Sequence, residues 1–385
     1  MSISRFLAIL RPFAFIVGSA LLLAGCQSNI PKAMTPVPAI LLTKMKVLGM
    51  DETAPIFIRI FKEESQLEVW KQKQNGEYAL LTTYAICRWS GELGPKIQEG
   101  DYQAPEGFYT VTPSQMNPNS AYYLSFNIGY PNAFDRSLGR TGGNLMVHGA
   151  CSSAGCYSMT DAQAAEIFAL ARDSFKGGQT SFQVHAFPFQ MTPENMAKHH
   201  ANKHFGFWQM LKAGYDHFEA TRRIPKVDVC GRHYVFDADS GGLPFVANAA
   251  CPPFSTPSVI ATAVARKQAS DDAEFRSLVA RADPAAGAVT LAWDGVSSGS
   301  LPRASSTGVA SLIATDRTTV GATAPAGART LANADPTGTP LPRPNPRDGG
   351  TQTLSAPSGA KAAATAQATE PAPSMLQRFK SYFTP

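Results

Sequence analysis

The sequence is poor in charge and has no concentrated run of either sign. Charged residues make up 16% of its 385 residues, and the formal net charge is +5. Arg5 and Arg11 lie in a segment that we expect to be removed, and without them the charge is +3. Nucleic-acid binding requires basic residues concentrated on one face. So mild a surplus therefore gives no support for a nucleic-acid partner.

The sequence also lacks an apolar run long enough to span a bilayer comfortably. Its N-terminal apolar stretch, from Phe13 to Leu23, follows two arginines and has the length of a cleaved signal. Leu-Ala-Gly-Cys at 23–26 resembles a bacterial lipobox, in which the Cys becomes the lipidated first residue. We therefore predict a lipoprotein signal peptide over residues 1–25 and lipidation of Cys26, with an uncleaved anchor as the alternative. Gln27 resembles the residue at this position in outer-membrane lipoproteins, so we expect a lipid-anchored protein on the periplasmic face of the envelope, at the outer membrane.

Cysteines are few, and only four of the six are available for disulfides. Cys26 would carry lipid, and Cys156 must stay free for the chemistry described below. The remaining four, which allow three connectivities in the oxidising periplasm, are Cys87, Cys151, Cys230 and Cys251. Cys230 and Cys251 flank a segment with Gly and Asp that can loop back, so we favour that pair and then Cys87–Cys151. Buried free thiols are the alternative.

The middle of the chain has the pattern of a mainly β domain. Residues 26–50 contain Pro and polar residues and are predicted to be a tether. Short β-branched and aromatic segments then alternate with Gly, Pro and Asn, which indicates a mainly antiparallel sheet structure. These segments are 55–61, 67–70, 78–86, 107–112, 122–127, 144–148 and 182–189. We place the folded domain at residues 51–254, with a helical C-terminal extension.

Helix signals and a change of composition define the second half. Thr160 with Gln163 is a capping box that begins a helix ending at Gly177-Gly178. Thr192 followed by Pro193 begins a second helix, predicted to run to about Arg222. Residues 255–385 are rich in Ala, Thr, Ser, Pro and Gly, so we predict a largely disordered tail there.

The segment from Gly142 to Asp161 carries the residues suited to covalent chemistry. A strand ends at His148, a turn of small residues follows, and Cys156 comes eight residues later, just before a helix. An imidazole that takes the thiol proton generates the nucleophilic thiolate. The amides of Gly155 and Cys156, near a helix start, are candidate oxyanion donors. Two alternatives stay open at this point: a buried strand His beside a disulfide Cys, and a zinc site formed by Cys151, Cys156 and His148.

Two motifs in this region resemble those of the YkuD-type L,D-transpeptidase family. His148-Gly149 followed by Ser153-Ala154-Gly155-Cys156 resembles the family's His-Gly and Ser-His-Gly-Cys, and the continuation Tyr-Ser-Met-Thr-Asp at 157–161 is similar to the YafK-like branch. Upstream, residues 100–109 resemble the family's Gly-Asp-x-x-Thr-Pro-x-Gly motif. The resemblance implies a YkuD-like β-sandwich with flanking helices.

The resemblance also implies a role for each matching residue. Cys156 would be the nucleophile and His148 the general base and then acid. The main-chain carbonyl of Gly149 would orient the imidazole, and the Gly155 amide would receive the oxyanion. We further predict substrate binding by Ser153, Tyr157, Arg88 and Tyr123. The family implies no cofactor and no metal. A Cys151–Cys156 disulfide would inactivate such a site and is kept as a further alternative.

Three functions follow as expectations. The first is transfer of a peptidoglycan stem peptide, through its diaminopimelate carbonyl, to an amine on a second stem peptide or on an outer-membrane protein. The second is hydrolysis of the same class of bond, which trims stem peptides or releases wall-linked protein. Ala154 replaces the family's His, and the gap from His148 to Cys156 is short. The sequence therefore leaves open whether an amine or water accepts the acyl group. The third is an inactive lipoprotein that tethers membrane to wall.

Overall fold

Two five-stranded sheets and six α-helices make up residues 30–282, the part of the chain that the structure, a computed structural model, describes. The strands in chain order are β1 (Ile56–Phe61), β2 (Gln66–Gln72), β3 (Tyr78–Ala85), β4 (Arg88–Trp89), β5 (Gly107–Val111), β6 (Met116–Asn117), β7 (Ser125–Asn127), β8 (Met146–His148), β9 (Tyr157–Ser158), β10 (Phe182–Phe187), β11 (Val227–Cys230) and β12 (His233–Phe236). The helices are α1 (Ala39–Leu48), α2 (Ala133–Ser137), α3 (Asp161–Lys176), α4 (Pro193–Lys198), α5 (Phe205–Thr221) and α6 (Ser258–Ala282), with 3-10 turns at Lys32–Met34 and Pro113–Gln115.

Each sheet is antiparallel except for one parallel pair. The first sheet has the order β3-β2-β1-β10-β5, and β1 and β10 run parallel. The second has the order β4-β9-β8-β7-β6, and β8 and β9 run parallel. Strands β11 and β12 form a separate hairpin. The prediction of a mainly β fold with flanking helices is confirmed.

The central strand β1 of the first sheet is buried on both faces, which explains why it is an unbroken apolar run apart from one arginine. One face carries Ile56, Ile58 and Ile60, which belong to a core shared with the second sheet and with α3. The opposite face carries Phe57 and Phe61, and Phe61 packs in an aromatic cluster with residues of α5. Alternation along the strand sends successive side chains to these two layers.

The predicted helix starts are confirmed, but the second helix is interrupted. The Thr160 side chain accepts a hydrogen bond from Gln163 N in a capping box, and α3 ends before Gly177. The Thr192 side chain caps α4. The prediction of one helix continuing to Arg222 is wrong, because residues 199–204 form turns in which His204 N donates to the Asn202 side chain. Side chains of Asn compete with helical hydrogen bonds in this way.

The prediction of a tether over residues 26–50 is wrong for residues 32–48. These residues form the 3-10 turn and α1, and their buried side chains, spaced four apart, are Ala33, Val37, Leu41 and Met45. Arg172 of α3 also donates to the carbonyls of Ala33 and Thr35 at 3.0 and 2.9 Å. Burial of this apolar stripe offsets the entropy lost on ordering the segment.

The predicted start of the tail at residue 255 is also corrected by the structure. Helix α6 continues the fold to Ala282 and buries Val264, Phe275 and Val279, which lie at helical spacing. Its Asp271 pairs with Lys212 of α5 at 2.5 Å. The predicted signal peptide with Cys26, and residues 283–385 of the predicted tail, lie outside the described residues. Among residues 30–282, every helix is too short or too polar to cross a bilayer.

Candidate active site

The pairing of β8 with β9 brings the two predicted catalytic residues to one face of the second sheet. His148 is the register partner of Ser158, and the strands run parallel. Because side chains alternate along a strand, Cys156, two residues before Ser158, lies on the same face. The opposite face carries Val147 and Tyr157, which are buried in the core. Burial of those two side chains therefore fixes the register that aligns His148 with the cysteine.

The imidazole of His148 is held in one tautomer by its own neighbour. Nδ1 is 2.5 Å from the carbonyl oxygen of Gly149, which can only accept, so Nδ1 carries the proton and Nε2 is the basic nitrogen. The side chain is 3% exposed. Burial lowers the pKa of His148 below its ordinary value, against a smaller opposite effect of the bond to Gly149. The imidazole is therefore neutral near pH 7, as a general base requires.

Gly149 has no room for a side chain. A Cβ at this position would lie 2.5 Å from Asp161 Oδ1 and 3.0 Å from the Cβ of Tyr123. Its amide donates to the carbonyls of Tyr122 and Leu124 at 3.0 and 3.2 Å. The backbone that orients His148 is thus enclosed on several sides, which fixes the direction of the Gly149 carbonyl.

Tyr122 covers the imidazole of His148, a contact that the sequence did not indicate. Its ring centroid is 4.8 Å from that of His148, with the planes tilted by 41°, and its own side chain is exposed. An exposed aromatic ring on a buried imidazole excludes water from one side of it. Tyr122 therefore contributes to the burial of His148, and this burial lowers the pKa of the imidazole.

Cys156 is the free cysteine among the described residues. Its sulfur accepts a hydrogen bond from Met146 N at 3.4 Å and faces the carbonyl oxygen of Asn144 at 3.9 Å. Burial raises the pKa of the Cys156 thiol, while the Met146 amide and the charge of Lys96 act in the opposite direction. The resting site therefore holds a neutral thiol and a neutral imidazole.

Within residues 30–282, no hydrogen bond joins the side chains of Cys156 and His148. The thiol is turned toward Asn144 O instead. Cys156 immediately precedes β9 and His148 is the last residue of the neighbouring strand β8, so rotation of the two side chains changes the distance between sulfur and imidazole. Proton transfer from sulfur to Nε2 accordingly requires a change in the Cys156 rotamer, and catalytic hydrogen bonds often form only once substrate is bound.

The amide of Gly155, a predicted oxyanion donor, is engaged by a residue that the sequence did not indicate. Gly155 N donates to Ser90 Oγ at 2.5 Å, and Ser90 Oγ is 3.1 Å from Ser153 Oγ. Ser153 in turn donates to the carbonyl of Cys156 at 2.7 Å. Gly155 has a φ of +115°, which a residue with a side chain rarely adopts. Ser90 and Ser153 thus hold the turn that presents the nucleophile.

A disulfide anchors the turn between His148 and Cys156. Ala150 and Cys151 both have left-handed backbone conformations, with φ of 66° and 44°. Cys151 is bonded to Cys87, and the second disulfide is Cys230–Cys251. Both favoured pairings are therefore present. The zinc site and the Cys151–Cys156 disulfide, considered as alternatives, are both contradicted because the Cys151 sulfur is already bonded to Cys87.

The Gly-Asp motif upstream packs against the same turn. The Asp101 carboxylate accepts from the backbone amides of Ile97, Gln98 and Gln103 and pairs with Lys96. Although burial opposes ionisation, these bonds lower the pKa of Asp101 to about 2. The loop ordered in this way places the Gln103 carbonyl 3.7 Å from the Cβ position of Gly155.

Only some of the predicted substrate-binding residues lie on the face of the second sheet that carries His148. Arg88 is exposed. It pairs with Ser158, which in turn pairs with His148, so Arg88 lies on the same face of the sheet as His148. Tyr123 is half-buried against the core. Tyr157 is fully buried, and its hydroxyl donates to Pro105 O at 2.6 Å, so the prediction that it contacts substrate is wrong. Tyr157 is a core residue because it lies on the opposite face of β9 from Ser158.

The fold and site define a two-sheet β domain with a free, half-buried cysteine beside a tautomerically fixed histidine. Residues 55–184 match the YkuD family, described as the L,D-transpeptidase catalytic domain. The chain is 42% identical over 229 residues to the Escherichia coli K12 protein named "Putative L,D-transpeptidase YafK", an alignment that covers 59% of this chain and 90% of that protein. The O157:H7 protein of the same name matches equally. This chain belongs to the YkuD-type L,D-transpeptidase family.

Similarity to solved structures is much weaker. The helical cell shape determining protein Pgp2 from Campylobacter jejuni is 20% identical, with a TM-score of 0.28. The match covers 38% of this chain and 54% of that protein, about half its length. At this level of similarity the comparison carries no functional argument.

Proposed function

We propose that this chain is a cysteine acyltransferase of the L,D-transpeptidase type, in which Cys156 is the nucleophile and His148 the general base. The observation that carries the proposal is the hydrogen bond from His148 Nδ1 to Gly149 O. It leaves Nε2 as the only basic nitrogen of a neutral imidazole, on the same sheet face as a free thiol. A neutral base beside a neutral thiol is suited to deprotonating sulfur as it attacks a carbonyl.

In the proposed reaction the substrate is a peptidoglycan stem tetrapeptide. The Cys156 sulfur bonds to the carbonyl carbon at the L-centre of diaminopimelate, and its proton passes to His148 Nε2. The carbon–nitrogen bond to D-Ala then breaks, and the departing amine takes the proton from Nε2. The remaining thioester is attacked by an acceptor amine, whose proton passes to Nε2 and then to the released sulfur.

The oxyanion of each tetrahedral intermediate requires amide donors close to the Cys156 sulfur. We call residues 149–156, the turn that ends at this cysteine, the nucleophile turn. The amides of Gly155 and Cys156 serve this role, and the Gly155 amide must exchange Ser90 Oγ for the oxyanion as the intermediate forms. The loss of one hydrogen bond is matched by the gain of another to a charged oxygen, which is the stronger kind. Ser153, bonded to the Cys156 carbonyl, keeps the turn in place meanwhile.

Arg88 supplies the positive charge for substrate recognition. Stem peptides carry carboxylates, and a guanidinium binds a carboxylate with two parallel hydrogen bonds. Arg88 is exposed in the register row of His148, two strands away, a spacing of about 10 Å between backbones. A peptide whose carbonyl lies at Cys156 therefore reaches Arg88 with a neighbouring carboxylate.

Hydrolysis of the same acyl-enzyme is the second candidate, and the exposure of the nucleophile turn favours it. Residues 150–152 and Ala154 are all exposed, so water has free access to the acceptor side. Ala154 also lacks the imidazole that the wider family carries at this position. Release of wall-linked protein or trimming of stem peptides would follow when water replaces the amine.

We also propose that this chemistry takes place on the periplasmic face of the envelope. Lipidation of Cys26 would anchor the chain at the outer membrane, next to peptidoglycan and to wall-linked outer-membrane proteins. The described residues begin at Ile30, a few residues after that cysteine.

One experiment separates the candidates. Full-length protein and its Cys156→Ala variant are incubated with muropeptides and with protein-linked sacculi, and the products are analysed by mass spectrometry. Cross-linked dimers that require Cys156 indicate transfer, and released peptide or protein indicates hydrolysis. Binding to sacculi with no covalent change would contradict both and leave an inactive wall-tethering lipoprotein. A carbapenem adduct on Cys156 tests the reactivity of the thiol independently.

A further inference from the structure

The outer face of α1 is apolar and carries no partner among the described residues. Ile40 is 75% exposed and Val47 is 80% exposed, whereas Leu41 and Met45 on the other face are buried in the core. Residues three and four apart share one side of a helix, so Ile40, Lys44 and Val47 form a single stripe about two turns long. Exposure of an isoleucine and a valine on one ordered helix indicates that another surface covers them.

The charge on the same face is entirely positive. Lys44 and Lys46 are exposed, and α1 contains no acidic residue. Within residues 30–282, no ion pair involves either lysine. A helix with apolar side chains flanked by lysines is suited to lie at the surface of an anionic bilayer, with its apolar side chains below the headgroups and its ammonium groups among the phosphates.

The position of α1 along the chain brings it within reach of such a surface. Three residues lie between the predicted lipidation site at Cys26 and Ile30, which is itself exposed, so the two are four Cα–Cα steps apart. An extended segment of that length spans about 14 Å. The 3-10 turn and α1 are fixed to the core by Ala33, Val37 and Arg172, so the helix keeps its position on the folded domain.

We propose that the outer face of α1 docks on an anionic lipid bilayer and holds the catalytic face close to it. The location of the chain beside a membrane rests on the proposed function. The docking face is inferred separately, from the exposure of Ile40, Lys44, Lys46 and Val47. The same segment contacts the active site, because Lys32 donates to the carbonyls of Ser120 and Tyr123, on either side of Tyr122. Docking thereby selects substrates that are presented at the membrane surface.

Lysine footprinting on the full-length chain tests the proposal. The protein is reconstituted into vesicles of phosphatidylcholine alone or with phosphatidylglycerol, treated with a water-soluble acylating reagent, and digested for mass spectrometry. We expect Lys44 and Lys46 to react about fivefold more slowly on the anionic vesicles, because contact with the headgroups shields them. Lys203 and Lys226, both exposed elsewhere, are expected to react equally on the two vesicles.

Matched variants make the result specific to this face. Ile40→Ser combined with Val47→Ser is expected to abolish the protection, whereas Val259→Ser, at a residue that is 81% exposed on α6, is expected to retain it. Equal reaction of Lys44 and Lys46 on both vesicles would overturn the proposal. Protection that persists in detergent and weakens on dilution would also overturn it, by assigning the face to a second copy of the chain. The Cys156→Ala protein must give the same footprint, so failure of the enzymatic proposal and failure of docking are distinguishable.

Discussion

The backbone amide of Gly155 donates a hydrogen bond to Oγ of Ser90, 65 residues earlier in the chain, at 2.5 Å. Ser90 follows β4 and Gly155 precedes β9, and these strands are neighbours in the second sheet. Ser90 lies outside both sequence motifs, yet through this contact it helps to hold the nucleophile turn in place. It also means that the resting site keeps its oxyanion donor occupied.

Replacement of Ser90 tests how much this contact contributes. We expect Ser90→Ala to lower the rate of Cys156 acylation by about tenfold, which corresponds to about 1.4 kcal/mol, because the Gly155 amide loses its acceptor and Ser153 Oγ loses the hydroxyl that donates to it. Ser90→Thr retains the hydroxyl and is expected to restore most of the rate. Stopped-flow acylation by a carbapenem measures both. An unchanged or faster rate in Ser90→Ala would mean that Ser90 only blocks the oxyanion site.

Removal of Tyr122 is expected to shift the pH dependence. Burial lowers the pKa of His148 below 6.5, so the neutral base is lost only as the pH falls through that lower value. The acidic limb of the rate profile should therefore lie below pH 6.5 in the unmodified protein. In Tyr122→Ala, water reaches the imidazole and the limb should move up toward 6.5. Tyr122→Phe keeps the ring over the imidazole, so it is the matched control and is expected to leave the pH profile unchanged.

The same pKa has a consequence for stability. Between the folded and unfolded pKa values of His148 the unfolded chain binds more protons, so this group favours unfolding as the pH falls below 6.5. Replacement by Gln, which stays neutral, should flatten that part of the stability curve. Urea unfolding at several pH values measures the change, and an unchanged slope would show that His148 titrates normally.

Substitution of Gly149 is expected to damage the site through backbone displacement. The new Cβ of Gly149→Ala would meet Asp161 Oδ1 at 2.5 Å, so the turn must shift and the carbonyl that orients His148 moves with it. We expect a loss of about 1–3 kcal/mol in the free energy of unfolding and a larger proportional loss of acylation rate. Gly143→Ala, where a Cβ meets nothing within 4 Å, is the matched control and should change neither quantity.

The two disulfides should differ in their effect on activity. In the chain-entropy description, removing Cys87–Cys151, with its separation of 64 residues, costs about 4 kcal/mol, and removing Cys230–Cys251, with a separation of 21, costs about 3 kcal/mol. We expect only the first double Cys→Ala variant to lower the acylation rate, since Cys151 lies in the turn between His148 and Cys156. Equal loss of activity in both variants would mean that global destabilisation, rather than the turn, is responsible.

Sequence patterns determined the elements whose signals are local. The Thr160 capping box and Gly177 set the ends of α3, and the β-branched runs set β1 and β10, because capping and side-chain alternation act over a few residues. The positions of His148 and Cys156 before and after a turn of small residues were evident for the same reason. Composition was misleading for residues 26–50 and 255–282, where Pro, Ser, Thr and Ala suggested a tether and a tail although apolar side chains at helical spacing dock on the core.

Only the tertiary structure decided which residues surround the reactive pair. The Ser90–Gly155 bond, the Tyr122 ring over His148 and the burial of Tyr157 all depend on which strands become neighbours in a sheet with parallel and antiparallel pairs. Pairing between distant segments is set by the combined packing of the core, and a one-residue change in register would reverse every face. The sequence by itself determined the reactive atoms, and the fold determined what holds, covers and approaches them.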